Sequence, residues 1–224
     1  MKKEQMPESA LFQNITKEDA ESVLKCMSAV KKQYQKGETI FHAGEKARAM
    51  GLIVSGAVEL VRDDYWGNRQ IIGTAKQGVL FGESYACMPG EVFMITAQAS
   101  EASVILFLEV GKILTVCSPA CEFHNRLIHN LLYILAEKNL MLTRKIDHMG
   151  QRNIREKVMA YLSFQAEAHK SGTFEIPFNR QQFADYLAVD RSALSAELSR
   201  MQRDGIIEYE KSRFMILGHG KTKS

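Results

Sequence analysis

The chain has 224 residues, of which 46% are hydrophobic and 25% charged, a composition typical of globular proteins with one large or two small domains. Its longest apolar run, residues 104–108, is far shorter than the ~20 residues of a membrane helix. The charged N-terminus lacks an apolar stretch. We therefore expect no membrane segment, no secretion signal and a cytoplasmic location.

The net charge of +3 lies entirely in residues 150–224, which hold 12 basic and 9 acidic residues. That excess is a first indication of a polyanion partner.

The first half of the chain predicts helices followed by short strands. Apolar residues recur at helical spacing over residues 8–33. From Tyr34, β-branched and aromatic runs alternate with glycine turns about every ten residues, a pattern typical of an antiparallel barrel or jelly roll. Two further strands are predicted around residues 94–99 and 104–108.

Residues 122–148 contain neither glycine nor proline and predict one long helix. It carries two apolar seams, and both must be buried. One seam can pack on the barrel of its own chain. The other favours a second copy of the same helix, with a helix wholly buried in a monomer as the alternative. We therefore expect a homodimer, with an interface that contains Leu127, Ile128, Leu131, Ile134, Leu135, Met141 and Leu142.

The last third predicts a winged helix. After Gly150, Asn153 and Glu156 form a capping box for a helix that reaches about residue 170. Asn179 and Asp190 then cap two short helices joined by a tight corner, the spacing of a helix-turn-helix. Residues 205–217 follow as a β-hairpin, or wing. The alternative interpretation is a generic helical hairpin.

The whole chain resembles the Crp/Fnr family of bacterial transcription regulators. The resemblance lies in the helix-turn-helix and in glycine turns that look like those of a cyclic-nucleotide-binding β-roll: residues 36–38, 42–45, 54–58 and 81–83. It implies an α+β fold: an antiparallel β-roll sensor domain (a double-stranded β-helix, or jelly roll) over residues 1–121, a dimerisation helix over 122–150 and a winged helix-turn-helix DNA-binding domain over 151–224.

The resemblance also implies a function. We expect no enzyme but a homodimeric, sequence-specific regulator that binds a near-palindromic site on double-stranded DNA, with half-site centres about 34–36 Å apart. The resemblance also allows RNA polymerase as a further partner. An effector in the β-roll would change the spacing of the two recognition helices.

The DNA contacts are expected from the helix-turn-helix and the wing. Arg191 is the candidate for a guanine contact, beside Ser192 and Ser195. Many family members carry an arginine where this chain has Ala196, which puts the usual family half-site in doubt. The expected phosphate contacts are Asn179, Arg180, Gln181, Arg200 and Arg213.

The effector pocket departs from the family pattern. Nucleotide-binding members clamp the cyclic phosphate with an Arg-Ser pair ten residues after the Phe-Gly-Glu turn, and this chain has Phe93 and Met94 there. We expect a small apolar effector, or a pocket already filled by side chains, rather than a cyclic nucleotide. A cyclic-nucleotide-responsive regulator is the alternative. The expected lining is Gly82, Glu83, Phe93, Met94, Met141 and Leu142.

We expect no cofactor. Cys26 alone lies near the N-terminus, which does not support the iron–sulfur cluster of oxygen-sensing members. A redox pair of Cys117 and Cys121 and haem binding by His124, His129 or His148 are alternatives. His42 is the only histidine in the β-roll region, too few for a metal-barrel enzyme.

Overall fold

The computed structural model describes residues 8–27, 29–63, 65–66, 69–114 and 122–217. The chain divides into two compact units, Met1–Ala136 and Glu137–Ser224. The boundary falls inside the long helix, which the sequence-based division keeps as a segment of its own.

The first unit is a β-roll with helices at either end of its sequence. A 3-10 turn at Ala10–Phe12 and helix α1 (Lys17–Cys26) precede the strands. The strands are β1 (Val30–Tyr34), β2 (Thr39–Phe41), β3 (Ala49–Ser55), β4 (Ala57–Asp63), β5 (Arg69–Lys76), β6 (Leu80–Phe81), β7 (Thr96–Ala99) and β8 (Ser103–Glu109). They form two antiparallel sheets, ordered β1-β8-β3-β6 and β2-β7-β4-β5.

The two sheets share a core, which confirms the predicted β-roll. Ile53 and Ile105 of the first sheet pack with Val58 and Ala97 of the second. Successive side chains of a strand point to opposite faces, so Leu106 turns away from Ile105. Leu106 joins a second cluster that also contains apolar residues of α1 and of the long helix. The central strands β3 and β8 of the first sheet are therefore covered on both faces.

The helix predicted over residues 30–33 is wrong, because Val30–Tyr34 is strand β1. It pairs antiparallel with β8, from Val30 opposite Phe107 to Tyr34 opposite Ser103. Four of its five residues are exposed. An exposed polar segment carries no clear hydrophobic period, and its strand pairing comes from a partner about seventy residues further along the chain.

Two short helices lead to the long one. They are α2 (Glu83–Ala86) and α3 (Val110–Leu114), followed by α4 (Glu122–Gly150). The long helix is confirmed, but the assignment of its apolar seams needs a correction. Leu127, Leu131 and Ile134 are at most 8% exposed and belong to the core of the first unit. Side chains covered by their own unit have no surface left for a partner.

The second unit is a winged helix-turn-helix. It comprises the end of α4, then α5 (Ile154–His169), β9 (Thr173–Glu175), α6 (Arg180–Leu187), α7 (Arg191–Arg203), β10 (Ile207–Glu210) and β11 (Arg213–Ile216). The predicted hairpin is β10 and β11, and β9, which the sequence pattern did not predict, adds a third antiparallel strand. Its core packs aromatic and aliphatic residues of α5, α6, α7 and the sheet. None of the helices within the described ranges has the length and apolar character needed to cross a membrane.

Candidate nucleic-acid interface

Each helix of the helix-turn-helix begins at a side-chain cap. The Asn179 side chain accepts a hydrogen bond from the backbone N–H of Gln182 at 2.9 Å, and the Gln182 side chain accepts one from the Asn179 N–H at 2.9 Å. Asp190 caps α7 by accepting from the N–H of Ala193 at 2.9 Å. These bonds satisfy backbone donors that the helices themselves leave unpaired. The predicted helix-turn-helix is confirmed.

The corner between α6 and α7 is closed by backbone geometry. Ala188 adopts a left-handed conformation with φ +51°, a region that glycine favours. The N–H of Val189 donates to the carbonyl oxygen of Ala184 at 3.0 Å and closes the last turn of α6. Ala184 is itself fully buried. A small side chain here allows the two helices to pack closely.

The outward face of α7 carries short side chains and one arginine. Its buried face consists of Leu194, Leu198 and Met201, all 0% exposed. The exposed residues on the other side are Arg191, Ser192, Ala196 and Ser199, with Ser195 half-buried at the edge. The Ser195 hydroxyl donates to the Arg191 carbonyl oxygen at 2.9 Å, and the Ser199 hydroxyl donates to the Ser195 carbonyl oxygen at 3.0 Å. These short side chains therefore stay close to the backbone of α7 along this face.

Glu197 points away from this face. Arg155 of α5 donates from Nε to Glu197 Oε1 at 2.6 Å and from a terminal nitrogen to Asp204 Oδ2 at 2.7 Å. Arg200 reaches the other Glu197 oxygen at 3.2 Å. The two carboxylates raise the pKa of Arg155. Sequence reasoning placed Glu197 or Ser199 outward, and the structure selects Ser199.

Arg180 lies at the start of α6 and rests on the wing. Its guanidinium lies 4.9 Å from the ring centroid of Tyr209 in β10. Burial lowers the pKa of Arg180, the Tyr209 interaction opposes this, and the positive charge of Arg191 lowers the pKa further. Arg180 and Arg191 therefore both place positive charge near the start of the helix-turn-helix, and positive charge there favours an anionic partner.

The remaining predicted DNA contacts are spread around this pair. The Gln181 amide donates to Asp185 Oδ1 at 2.8 Å, and Arg213 is exposed on β11, opposite Glu210. Arg200 is exposed but also pairs with Glu197. Sequence reasoning missed Lys211, which is exposed at the wing turn and lines a groove with Asn179 and Arg180. Its signal was the polar run of residues 210–213. All these DNA contacts stay predictions.

In the first unit, an aromatic cluster occupies the place of the expected phosphate clamp. Phe93 is 3% exposed and stacks on Phe41 with ring centroids 4.4 Å apart. Tyr85 packs against the same Phe93 ring at 5.5 Å. Gly82 has φ +75°, and a Cβ there would lie 3.1 Å from Phe93. The rings therefore fill the space beside the Gly82 turn.

The other expected pocket residues behave differently. Glu83 is buried beside this cluster, at 5% exposure, whereas Met94 is 67% exposed. Met94 therefore lies on the surface of the first unit, and its role in an effector pocket stays a prediction. Met141 and Leu142 belong to the second unit and are exposed there. Their roles in an effector pocket and in a dimer interface stay predictions.

Two of the three histidines considered for haem have hydrogen-bond partners within the protein. His124 Nε2 lies 3.1 Å from the carbonyl oxygen of Lys112. His148 is 3% exposed, and its Nδ1 lies 2.9 Å from the hydroxyl of Tyr186. His129 is exposed. Within the described part of the chain, no group of three His, Cys, Asp or Glu residues is placed to hold a metal ion. Cys117 and Cys121 lie outside the described residues, and of the Cys26 side chain nothing is described.

Comparisons with known proteins match both units. Residues 31–119 match the cyclic nucleotide-binding domain, and residues 156–219 match the Crp-like helix-turn-helix domain. The chain is 25% identical to the transcriptional activator protein FnrL of Cereibacter sphaeroides over 199 residues, which cover 83% of this chain and 75% of FnrL. It is 27% identical to the nitrogen fixation regulation protein FixK of Bradyrhizobium diazoefficiens over 186 residues, with 78% and 72% covered.

Solved structures show the same fold. CprK in complex with OCPA superposes with a TM-score of 0.59 at 18% identity, covering 91% of each chain. The regulator CLP of Xanthomonas campestris superposes with a TM-score of 0.56 at 14% identity, covering 91% of this chain and 100% of CLP. A sensor-type β-roll followed by a helix-turn-helix defines a DNA-binding transcription regulator. Within that class, the chain belongs to the Crp/Fnr family.

Proposed function

We propose that the chain acts as a homodimer that reads a near-palindromic DNA site with the outward face of α7 from each protomer. The observation that carries this proposal is the face itself: short side chains close to the helix backbone, with Arg191 at its N-terminal end and Arg180 nearby. A recognition helix of this kind enters the major groove through its N-terminal residues. Because the target is DNA, we place the protein in the bacterial cytoplasm, with RNA polymerase as a further proposed partner.

The residues proposed to contact DNA have two roles. Arg191 donates to guanine O6 and N7, beside Ser192 and Ser195. The others fix the position of the protein on the phosphate backbone and carry no sequence information. These are Asn179, Arg180, Gln181, Arg200 and Arg213, with Lys211 added from the structure.

Two variants separate these roles. Arg191→Ala should weaken binding to a selected operator by about 1–3 kcal/mol and leave binding to random duplexes nearly unchanged. Arg180→Ala should weaken both about equally and lower the slope of log K against log[salt] by about 1. Fluorescence anisotropy on both duplexes at several salt concentrations measures this. Equal losses for Arg191→Ala on both duplexes contradict base reading by Arg191.

Dimerisation is proposed through the exposed apolar face of α4. Leu132 and Ile146 lie fourteen residues apart, close to four helical turns, and Leu142 lies one turn before Ile146 on the same side of the helix. All three are more than half exposed, as is Tyr133. An uncovered apolar stripe of this length on a helix favours a partner surface, and a second α4 related by two-fold symmetry supplies an identical one.

A charge on this stripe tests the dimer. Leu142→Asp should shift the chain to a monomer in sedimentation equilibrium, because the carboxylate cannot be buried unpaired. Ile71→Asp places the same charge on an exposed apolar residue of β5 and should leave the dimer intact. A monomeric wild-type chain, or a Leu142→Asp variant that still dimerises fully, contradicts the proposed interface.

We propose that the effector is a small molecule that binds to the first unit and is not a cyclic nucleotide. Phe93 supplies neither charge nor hydrogen bond to a phosphate, and it fills its site by stacking on Phe41. CLP, which has the same fold, is a regulator responsive to c-di-GMP. Calorimetry with cyclic AMP, cyclic GMP and c-di-GMP therefore tests the proposal, and micromolar binding of any of them contradicts it. An absorption spectrum, and DNA affinity with and without reductant, test the haem and redox alternatives.

A further inference from the structure

Ala196 occupies the middle of the outward face of α7. Viewed along the helix, it lies nearly opposite the buried residues Leu194 and Leu198. Ser192 precedes it by one turn and Ser199 follows it by one turn, and all three are exposed. A helix that enters the major groove with this face directs the Ala196 methyl group at the base edges.

The neighbours of Ala196 offer few hydrogen-bond donors. The hydroxyl protons of Ser195 and Ser199 are directed to backbone carbonyl oxygens of α7, and the hydroxyl of Ser192 donates to the Asp190 carboxylate. Oriented in this way, the hydroxyls present lone pairs to the groove. The centre of the face therefore does not provide the donors that guanine O6 and N7 require.

The acidic side chain of Glu197 does not contribute to this face either. Glu197 follows Ala196 directly, but its two oxygens are held by Arg155 and Arg200. A free carboxylate in this region could accept from the amino group of cytosine. With Glu197 turned away, the centre of the face offers an apolar contact in place of a charged one.

We propose that Ala196 is a specificity-determining residue that selects a thymine by contact between its methyl group and the thymine C5-methyl group. Thymine is the base that presents a methyl group in the major groove. A guanine, cytosine or adenine at the same position places polar edge atoms against the alanine, where they lose water without gaining a partner. This inference rests on the proposed function, since it requires α7 to read bases.

Removal of one methyl group from the DNA tests the contact. A duplex is first selected from random sequences by the wild-type full-length chain, and each thymine of its half-site is then replaced by deoxyuridine. We expect one position at which the replacement weakens wild-type binding by about fourfold per half-site, the effect of exposing one methyl group. The Ala196→Gly variant should lose this penalty at that position.

A matched variant controls for the helix. Ala193→Gly adds a glycine to the same helix, with a comparable cost in helix propensity, and should keep the fourfold penalty. Uracil sensitivity that is unchanged in Ala196→Gly overturns the proposal, as does a half-site in which no thymine shows a penalty. A selection that enriches no sequence at all refutes the proposed function instead, so the two failures are distinguishable.

A second variant gives a gain of function. Ala196→Arg places a guanidinium group, with paired N–H donors, at the centre of the face. When the selection from random sequences is repeated with this variant, guanine should replace thymine at the same position. An Ala196→Arg variant that still binds DNA and enriches the wild-type sequence contradicts the placement of residue 196 at a base edge.

Discussion

Arg155 of α5 forms ion pairs with Glu197 of α7 and with Asp204, which directly follows α7. Removal of these ion pairs should destabilise α7 and leave the first unit unchanged. The Glu197 side chain is 12% exposed and the Asp204 side chain 48% exposed, with Arg155 nitrogens 2.6 and 2.7 Å from their oxygens. The shielded contact to Glu197 contributes about 1.5 kcal/mol, and the Asp204 contact about 0.5 kcal/mol because water screens it. Arg155→Met should therefore cost about 2 kcal/mol.

Hydrogen exchange of the full chain, read by mass spectrometry, measures this locally. Peptides covering residues 191–203 should exchange about thirtyfold faster in Arg155→Met, whereas peptides of β8 in the first unit should be unchanged. Asp204→Asn should give the smaller effect. The double variant of Arg155→Met with Glu197→Gln should cost about 1 kcal/mol less than the sum of the single variants. Additive effects within about 0.3 kcal/mol would refute direct coupling of these side chains.

Three further outcomes are expected. Ala188→Gly should stabilise the second unit by up to about 1 kcal/mol, because glycine adopts φ +51° without strain; a lower melting temperature contradicts the strain. Phe93→Ala should destabilise the first unit by about 3–5 kcal/mol by emptying the aromatic cluster, seen as faster hydrogen exchange in β8. Burial lowers the pKa of His148, so the folded state binds fewer protons than the unfolded one below the ordinary value of 6.5. Stability should fall from that pH down to the lowered pKa, and His148→Phe should flatten this part of the melting-temperature profile.

Much of the helix-turn-helix was predictable because its determinants are local. Asn179 and Asp190 cap their helices through hydrogen bonds to residues three positions away, and the pattern of side chains shows both. The direction of Glu197 could not be predicted in the same way. It depends on Arg155, 42 residues earlier in the chain, and only the packing of α5 against α7 brings the two together.

The same distinction explains the errors in the first unit. Strand β1 is paired by β8, far along the chain, so a window of neighbouring residues does not identify it. The spacing of Leu127, Leu131 and Ile134 correctly indicates that they are buried, but spacing does not say against what. The replacement of an Arg-Ser pair by Phe93 and Met94 predicted an apolar pocket, or one already filled by side chains, in place of a phosphate clamp. Its filling by Phe41 and Tyr85 required the folded β-roll.

Selection of DNA from a random library by the full-length chain tests the central claim most directly. If α7 of each protomer reads one half-site, the wild-type chain should enrich an inverted repeat with half-site centres about 10 base pairs, or 34–36 Å, apart. The Arg191→Ala variant should enrich it poorly. Enrichment of no sequence, or of the same sequence equally well by Arg191→Ala, would contradict the claim that the outward face of α7 reads DNA through Arg191.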